Sequence, residues 1–256
     1  MQDLNITIIQ TKLIWEDIKA NLSVFDKKID GIREKTDLIV LPEMFTTGFS
    51  MNAAKLAQEM NGISVDWLKN KSCHMQVDIA GSIIIKEDRK YFNRLLWAKP
   101  DGTLHCYDKK HLFRMTGEEK VYSDGKNKLT VELNGWKIRP FVCYDLRFPC
   151  WTRNFSKSYD VAVFVANWPE ARSYHWETLL LARAIENQCY VVGVNRVGKD
   201  GNGYNYIGQS SVVDPTGNIM FRKQNEECIH TTALSYSVLQ EYRNSFPAWM
   251  DTDNKE

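Results

Sequence analysis

Nearly continuous apolar runs, each tied to a segment of helical period, constrain this chain more than any other feature. DVAVFVAN at 160–167 is followed by a helical stretch at 173–187 and then by CYVVGVNRV at 189–197. DLIVLP at 37–42 is another such run, preceded by a helix over 16–35. In that helix Ile18, Leu22, Phe25, Ile29 and Ile32 recur at three- and four-residue steps, so they share one apolar face. Strands apolar on both sides must be covered on both faces, which points to parallel pairing with helices packed outside. The pattern predicts an α/β fold.

The rest of the chain adds strand pairs to this pattern. Strands are expected at 6–10, 77–86 and 92–99, and the turn Pro100-Asp101-Gly102 joins the last of these to a strand at 103–107, a hairpin signal. Helices are expected around 53–60 and 64–74. KIRPFVCY at 137–144 predicts a strand, followed by a helix over 147–156 with Pro149 in its first turn. Later come QSSVVD, the turn PTG, NIMFR, a strand CIHTTAL at 228–234 and a short helix near 236–245. Strand–helix–strand units mixed with hairpins predict a mixed sheet, or two, with helices outside. No linker, repeat or low-complexity tract divides the 256 residues, so residues 1–256 are expected to form a single domain.

Composition excludes several function classes. The net charge of +1 supplies no basic stripe, so nucleic acid is not an expected partner. MQDLNITIIQ has neither the basic start nor the apolar core of a signal peptide, and no run approaches a membrane span of about 20 residues. A cytoplasmic protein without membrane contact is expected. Six cysteines and five histidines show no metal-ligand spacing, so no metal site is expected and the thiols should be free.

Three reactive residues fall at predicted strand ends: Glu43 after LIVLP, Lys109 after TLHCY, and Cys143 after IRPFV. Reactive groups of α/β folds gather where strands end. Each also has an ordinary explanation. Glu43 could be a solvated loop charge, Lys109 part of a solvated basic face with Lys110, and Cys143 a small core residue. What distinguishes Cys143 is the polar Tyr144-Asp145 after it and the expected helix start. Unpaired N–H groups and a positive dipole end there would lower a thiol pKa.

The blocks LPEMFTTGF, YDKKHLF and FVCYDLRFP, in that order, resemble the signatures of the nitrilase (carbon–nitrogen hydrolase) superfamily. The likeness continues through VANWPEARSYHWETLLLARAIENQCYVVGVNRVG and SSVVDPTGNI, and so spans almost the whole chain. It is closest to the omega-amidase branch, which hydrolyses the distal amide of 2-oxo acid amides.

This resemblance implies an α-β-β-α sandwich of two mixed sheets flanked by helices. It also implies catalytic roles for Glu43, Lys109, Cys143 and a second glutamate, matched by Glu118 in FRMTGEEKVYSDG, with Glu119 adjacent as the other choice. Glu43 would act as the base and Cys143 as the nucleophile. Lys109 and the Tyr144 N–H would stabilise the oxyanion. Glu118 would position the amide or hold Lys109. A thioester forms and is hydrolysed, with no cofactor. The implied substrate is a small 2-oxo dicarboxylic acid monoamide. An N-carbamoyl or broad aliphatic amidase and a non-catalytic scaffold are the alternatives. Arg172 is a candidate for the substrate carboxylate, as is Arg147, which could instead brace the site by pairing with an acidic neighbour. Phe45, Asn167, Trp168, Tyr174 and His175 are candidate pocket residues. A homodimer is implied, formed through the helix after Cys143 and helix 173–187, with the FPAW segment at 246–249 crossing to the partner.

Overall fold

The computed structural model describes residues 2–251. Its first half runs β1 (Leu4–Gln10), α1 (Ile18–Asp30), β2 (Leu38–Val40), α2 (Ala53–Leu56), α3 (Ile63–Met75), β3 (Asp78–Glu87), β4 (Lys90–Ala98), β5 (Leu104–Asp108) and α4 (Glu118–Val121). The second half runs β6 (Val131–Leu133), β7 (Trp136–Val142), α5 (Pro149–Thr152), β8 (Val161–Val165), α6 (Ser173–Asn187), β9 (Tyr190–Val194), β10 (Val197–Lys199), β11 (Asn205–Val213), β12 (Ile219–Gln224), β13 (Cys228–Leu234) and α7 (Tyr236–Ser245).

The strands form two mixed sheets. One has the order β13-β1-β2-β3-β4-β5, with β1, β2 and β3 parallel and the remaining pairs antiparallel. The other has the order β10-β11-β9-β8-β7-β6, with β12 also paired to β11 and with β7, β8 and β9 parallel. Period-two alternation divides the buried residues. Leu4, Ile6 and Ile8 of β1 join Leu95 and Trp97 of β4 and the apolar residues of β7, β8 and β9 in one core between the sheets. Ile9, Ile39, Ile79 and Leu96 face the other way, against Leu22, Phe25 and Ile29 of α1 and Val65 and Leu68 of α3.

On the second sheet, α6 buries Trp176, Leu180, Arg183, Ala184 and Asn187, residues of one helical face. Each large apolar side chain buried this way stabilises the fold by about 1.5–3 kcal/mol. The helix lies so close that a Cβ on Gly193 of β9 would stand 2.6 Å from Leu180 Cδ1. It ends at Gln188, which turns left-handed with φ 46°. The four layers are therefore helix, sheet, sheet, helix, the architecture expected above.

Two expected elements differ. The helix expected over 53–60 stops at Leu56, because Ala57 is extended and Gln58 bridges to Ile85. The helix expected over 147–156 is broken into a 3-10 turn at Cys143–Arg147, the single turn α5, and a second 3-10 turn at Phe155–Lys157. Pro149 cannot continue the first turn as a hydrogen-bonded helix, and Arg153 returns to an extended conformation. The FPAW segment docks on its own chain. The Trp249 N–H donates to Gln188 Oε1 at 3.0 Å, and Gln188 Nε2 donates to the Phe246 carbonyl at 2.7 Å.

Candidate active site

The parallel strands of both sheets deliver their C-terminal ends to one place. Three residues past β2, Glu43 turns into the space between the sheets. Met44 follows it with φ 42°, a conformation that costs a non-glycine residue on the order of 1 kcal/mol. Ser82 of β3 holds this corner, its Oγ accepting from the Met44 N–H at 2.8 Å and its carbonyl from the Phe45 N–H at 3.0 Å.

The second corner is at Cys143, directly after β7, also left-handed with φ 45°. Asp145 fixes it. One carboxylate oxygen accepts from the Val142 N–H at 3.1 Å and the Tyr107 hydroxyl at 2.7 Å, the other from the His111 N–H at 2.9 Å. Tyr144 is the second residue of the 3-10 turn, so its N–H has no acceptor within that turn.

Lys109 follows β5 and is buried. Its Nζ donates to Glu43 Oε1 at 3.0 Å and to both Glu118 oxygens at 3.0 Å, and it lies 5.0 Å from the Phe49 ring centre. Glu118 Oε2 also accepts from the Phe113 N–H at 2.5 Å. Glu118, not Glu119, is therefore the glutamate paired with Lys109. Burial opposes the ammonium charge, but Glu118 and Glu43 outweigh it and hold the Lys109 pKa above the ordinary lysine value. Glu43 Oε1 further accepts from Asn93 Nδ2 at 2.7 Å, and Oε2 from the Asn167 N–H at 2.8 Å.

The sequence predicts a lowered thiol pKa at Cys143; the structure raises it. Burial is the largest cause, and the Glu43 carboxylate adds to it by charge and hydrogen bonding, with Lys109 working in the opposite direction. A five-residue 3-10 turn supplies too little dipole to overcome burial. The resting thiol keeps its proton, and a base must remove it.

A cavity of about 540 Å³ opens over this cluster. Lys109, Cys143, Tyr144, Asn167 and Trp168 line it, as do both candidate arginines, Arg147 and Arg172. Glu43 and Glu118 are fully buried and back Lys109 from the interior. Arg147 lies 4.9 Å over Trp168, and Arg172 lies 5.2 Å over Phe113. Among the described residues, neither forms an ion pair with a carboxylate. Arg147 thus does not brace the site on an acidic neighbour; its NH2 contacts His175 Nδ1 at 2.8 Å.

Three expected pocket residues lie elsewhere. Phe45 is core, because the corner at Met44 sends it outward to pack against Phe25 and Trp67 at 5.3 and 5.8 Å. His175 sits on the exposed side of α6 and touches the cavity only through Arg147. Tyr174, beside it, is also exposed. Asn93, Asp145 and Phe49 were not among the sequence candidates. Asn93 carried a readable signal, since it shares the inward face of β4 with Leu95 and Trp97, where a polar residue needs a partner.

Two facing sheets bring a thiol, a carboxylate and a buried ammonium together, groups of the kind that attack on a carbonyl carbon needs. Comparison with known proteins gives the family. The carbon-nitrogen hydrolase family matches residues 5–244. The chain is 48% identical to the omega-amidase YafV of Escherichia coli K12 over 254 residues, covering 99% of this chain and 98% of that protein. It is 32% identical to a 2-oxoglutaramate amidase of Bacillus subtilis, with 96% of each chain covered. A crystallised CN-hydrolase superfamily protein of Xanthomonas campestris, with an arsenic adduct in its active site, superposes with a TM-score of 0.98 at 43% identity, covering 100% of this chain and 99% of that one. The chain belongs to the carbon-nitrogen hydrolase family and is an amide-hydrolysing enzyme.

Proposed function

We propose that this enzyme hydrolyses the distal amide of a small 2-oxo dicarboxylic acid monoamide, such as 2-oxoglutaramate, to the acid and ammonia. The observation that carries the substrate class is the pair of guanidiniums in the cavity wall. Arg147 and Arg172 line the same cavity as Cys143, and among the described residues neither forms an ion pair with a carboxylate, although Glu16 and Asp200 also line the cavity. Burial lowers the Arg147 pKa and the nearby Arg172 charge lowers it further, against the opposing influence of Tyr144 and Cys143. A substrate carboxylate is a suitable partner for a planar guanidinium. The names of the two bacterial relatives agree with this reading.

Glu43 takes the proton of the Cys143 thiol as sulfur attacks the amide carbon. The oxyanion is met by the Lys109 ammonium and the Tyr144 N–H. When the tetrahedral species collapses, the C–N bond breaks and Glu43 returns the proton to the departing ammonia. Water, deprotonated by Glu43, attacks the thioester. The acid leaves, and the proton returns to sulfur. Glu118 keeps Lys109 charged and aimed.

The protein works in the cytoplasm as a homodimer in this reading. Exposed Tyr174 and Ile185 of α6 and Ile219 and Met220 of β12 offer apolar surface for the partner. No helix among the described residues is long and apolar enough to cross a membrane. Ammonia release from 2-oxoglutaramate, 2-oxosuccinamate, N-carbamoyl-β-alanine and a simple nitrile tests the substrate class. Preference for the carbamoyl compound or the nitrile overturns it.

A further inference from the structure

Asn93 holds both the base and the electrophile. Its side-chain Nδ2 donates to Glu43 Oε1 at 2.7 Å, and its backbone carbonyl accepts from the Lys109 N–H at 3.0 Å. The residue is fully buried in the middle of β4 and does not line the cavity. Its other side-chain atom, Oδ1, is buried without a hydrogen-bond partner among the described residues. An unsatisfied buried carbonyl destabilises a fold, and a leucine in its place would avoid that cost. The amide is explained by what Nδ2 does at Glu43.

The donors are divided unequally between the two oxygens of the base. Oε1 accepts from Asn93 and from Lys109, whereas Oε2 accepts from the Asn167 N–H. Two donors already occupy Oε1, so a proton arriving on Glu43 goes to Oε2. We propose that Asn93 is a positioning residue that fixes Glu43 so that Oε2 is the oxygen that takes the thiol proton and returns it to the leaving group. This rests on the amide-hydrolase reading above. Asn93 is suited to the task because a neutral amide can keep donating in both charge states of Glu43. A charged donor in its place would resist protonation of the base.

The groups acting on Glu43 come from several elements. Lys109 follows β5, Glu118 begins α4, and Cys143 follows β7. The Tyr122 and Tyr206 phenols interact with it from α4's end and from β11. Asn93 is an uncharged donor in this set.

The test uses Asn93→Leu, which keeps the branching at Cγ without a donor, and Asn93→Asp, close in shape but placing a carboxyl against Glu43. Both are read as kcat and KM on the best amide. Asn93→Leu should lower kcat by about tenfold or more and leave KM within about twofold. Asn93→Asp should lower kcat further, because a carboxylate in place of the donor repels the Glu43 carboxylate. Unchanged kcat, a change confined to KM, or loss of folding in both variants would reduce Asn93 to a structural residue and overturn the proposal. A wild-type enzyme inactive on every amide would instead fail the functional reading on which it rests.

Discussion

Lys109 and Glu118 form a two-oxygen ion pair inside the protein, with Nζ 3.0 Å from each carboxylate oxygen and both side chains shielded from solvent. Breaking a buried pair by removing one partner strands the other charge. Glu118→Ala should therefore cost about 3–5 kcal/mol of stability by urea unfolding. It should also draw Lys109 onto Glu43 and abolish most turnover. Glu118→Gln keeps an acceptor for Lys109 and should be milder in both respects. Equal stability of wild type and Glu118→Ala would contradict the pairing.

The raised pKa of Cys143 makes a prediction about alkaline stability. Folding keeps the proton on sulfur where an unfolded thiol, ordinarily near 9.0, would lose it. The folded state then binds more protons than the unfolded state at high pH, so stability falls as pH rises. The contribution is fully present below the unfolded value and is lost as pH climbs from there towards the folded value. Cys143→Ala should flatten this loss, seen as a shallower fall of Tm above about pH 9 than in wild type. Parallel curves would mean that the thiol is not held protonated.

Arg172 and Arg147 are expected to act on binding more than on chemistry. Alanine at either position should raise KM for 2-oxoglutaramate, with a loss of kcat/KM worth about 1.5–3 kcal/mol, typical of a hydrogen bond to a charged group. The same variants should treat an uncharged aliphatic amide much as wild type does. Steady-state assays on the two substrates separate the cases, and equal losses on both would remove the arginines from carboxylate recognition.

Asp145 is fully buried and accepts from Val142, Tyr107 and His111 around the Cys143 corner. Asp145→Ala leaves those donors unpaired and should destabilise the protein by several times the roughly 1 kcal/mol of an ordinary hydrogen bond. Turnover should fall with it as the corner relaxes. Chemical unfolding together with an ammonia-release assay would check both effects.

Much of this architecture was legible in the chain. Apolar runs ending at Val40, Val142 and Val165 marked the parallel strands, and the residues just past them became the site. The helical period over 173–187 matched α6. The helix expected after Cys143 failed because a sequence window weighs propensity over ten residues, whereas Pro149 and the extended Arg153 act locally. Phe45 was misplaced for a similar reason. Two residues from Glu43 in sequence, it is turned to the opposite side of the sheet by Met44, whose left-handed backbone no apolar pattern announces. The thiol's raised pKa was also out of reach, since it depends on burial and on Glu43 arriving from 100 positions away in the chain.

The central claim is that Cys143 forms a thioester with the acyl part of a 2-oxo acid amide. Its most direct test is mass spectrometry of the intact enzyme quenched in acid during turnover of 2-oxoglutaramate, alongside Cys143→Ala and with ammonia release followed in parallel. The account predicts an acyl adduct that maps to Cys143, disappears as substrate is consumed, and is absent together with turnover in Cys143→Ala. Ammonia release by Cys143→Ala at a rate near wild type, or an adduct on another residue, would contradict it.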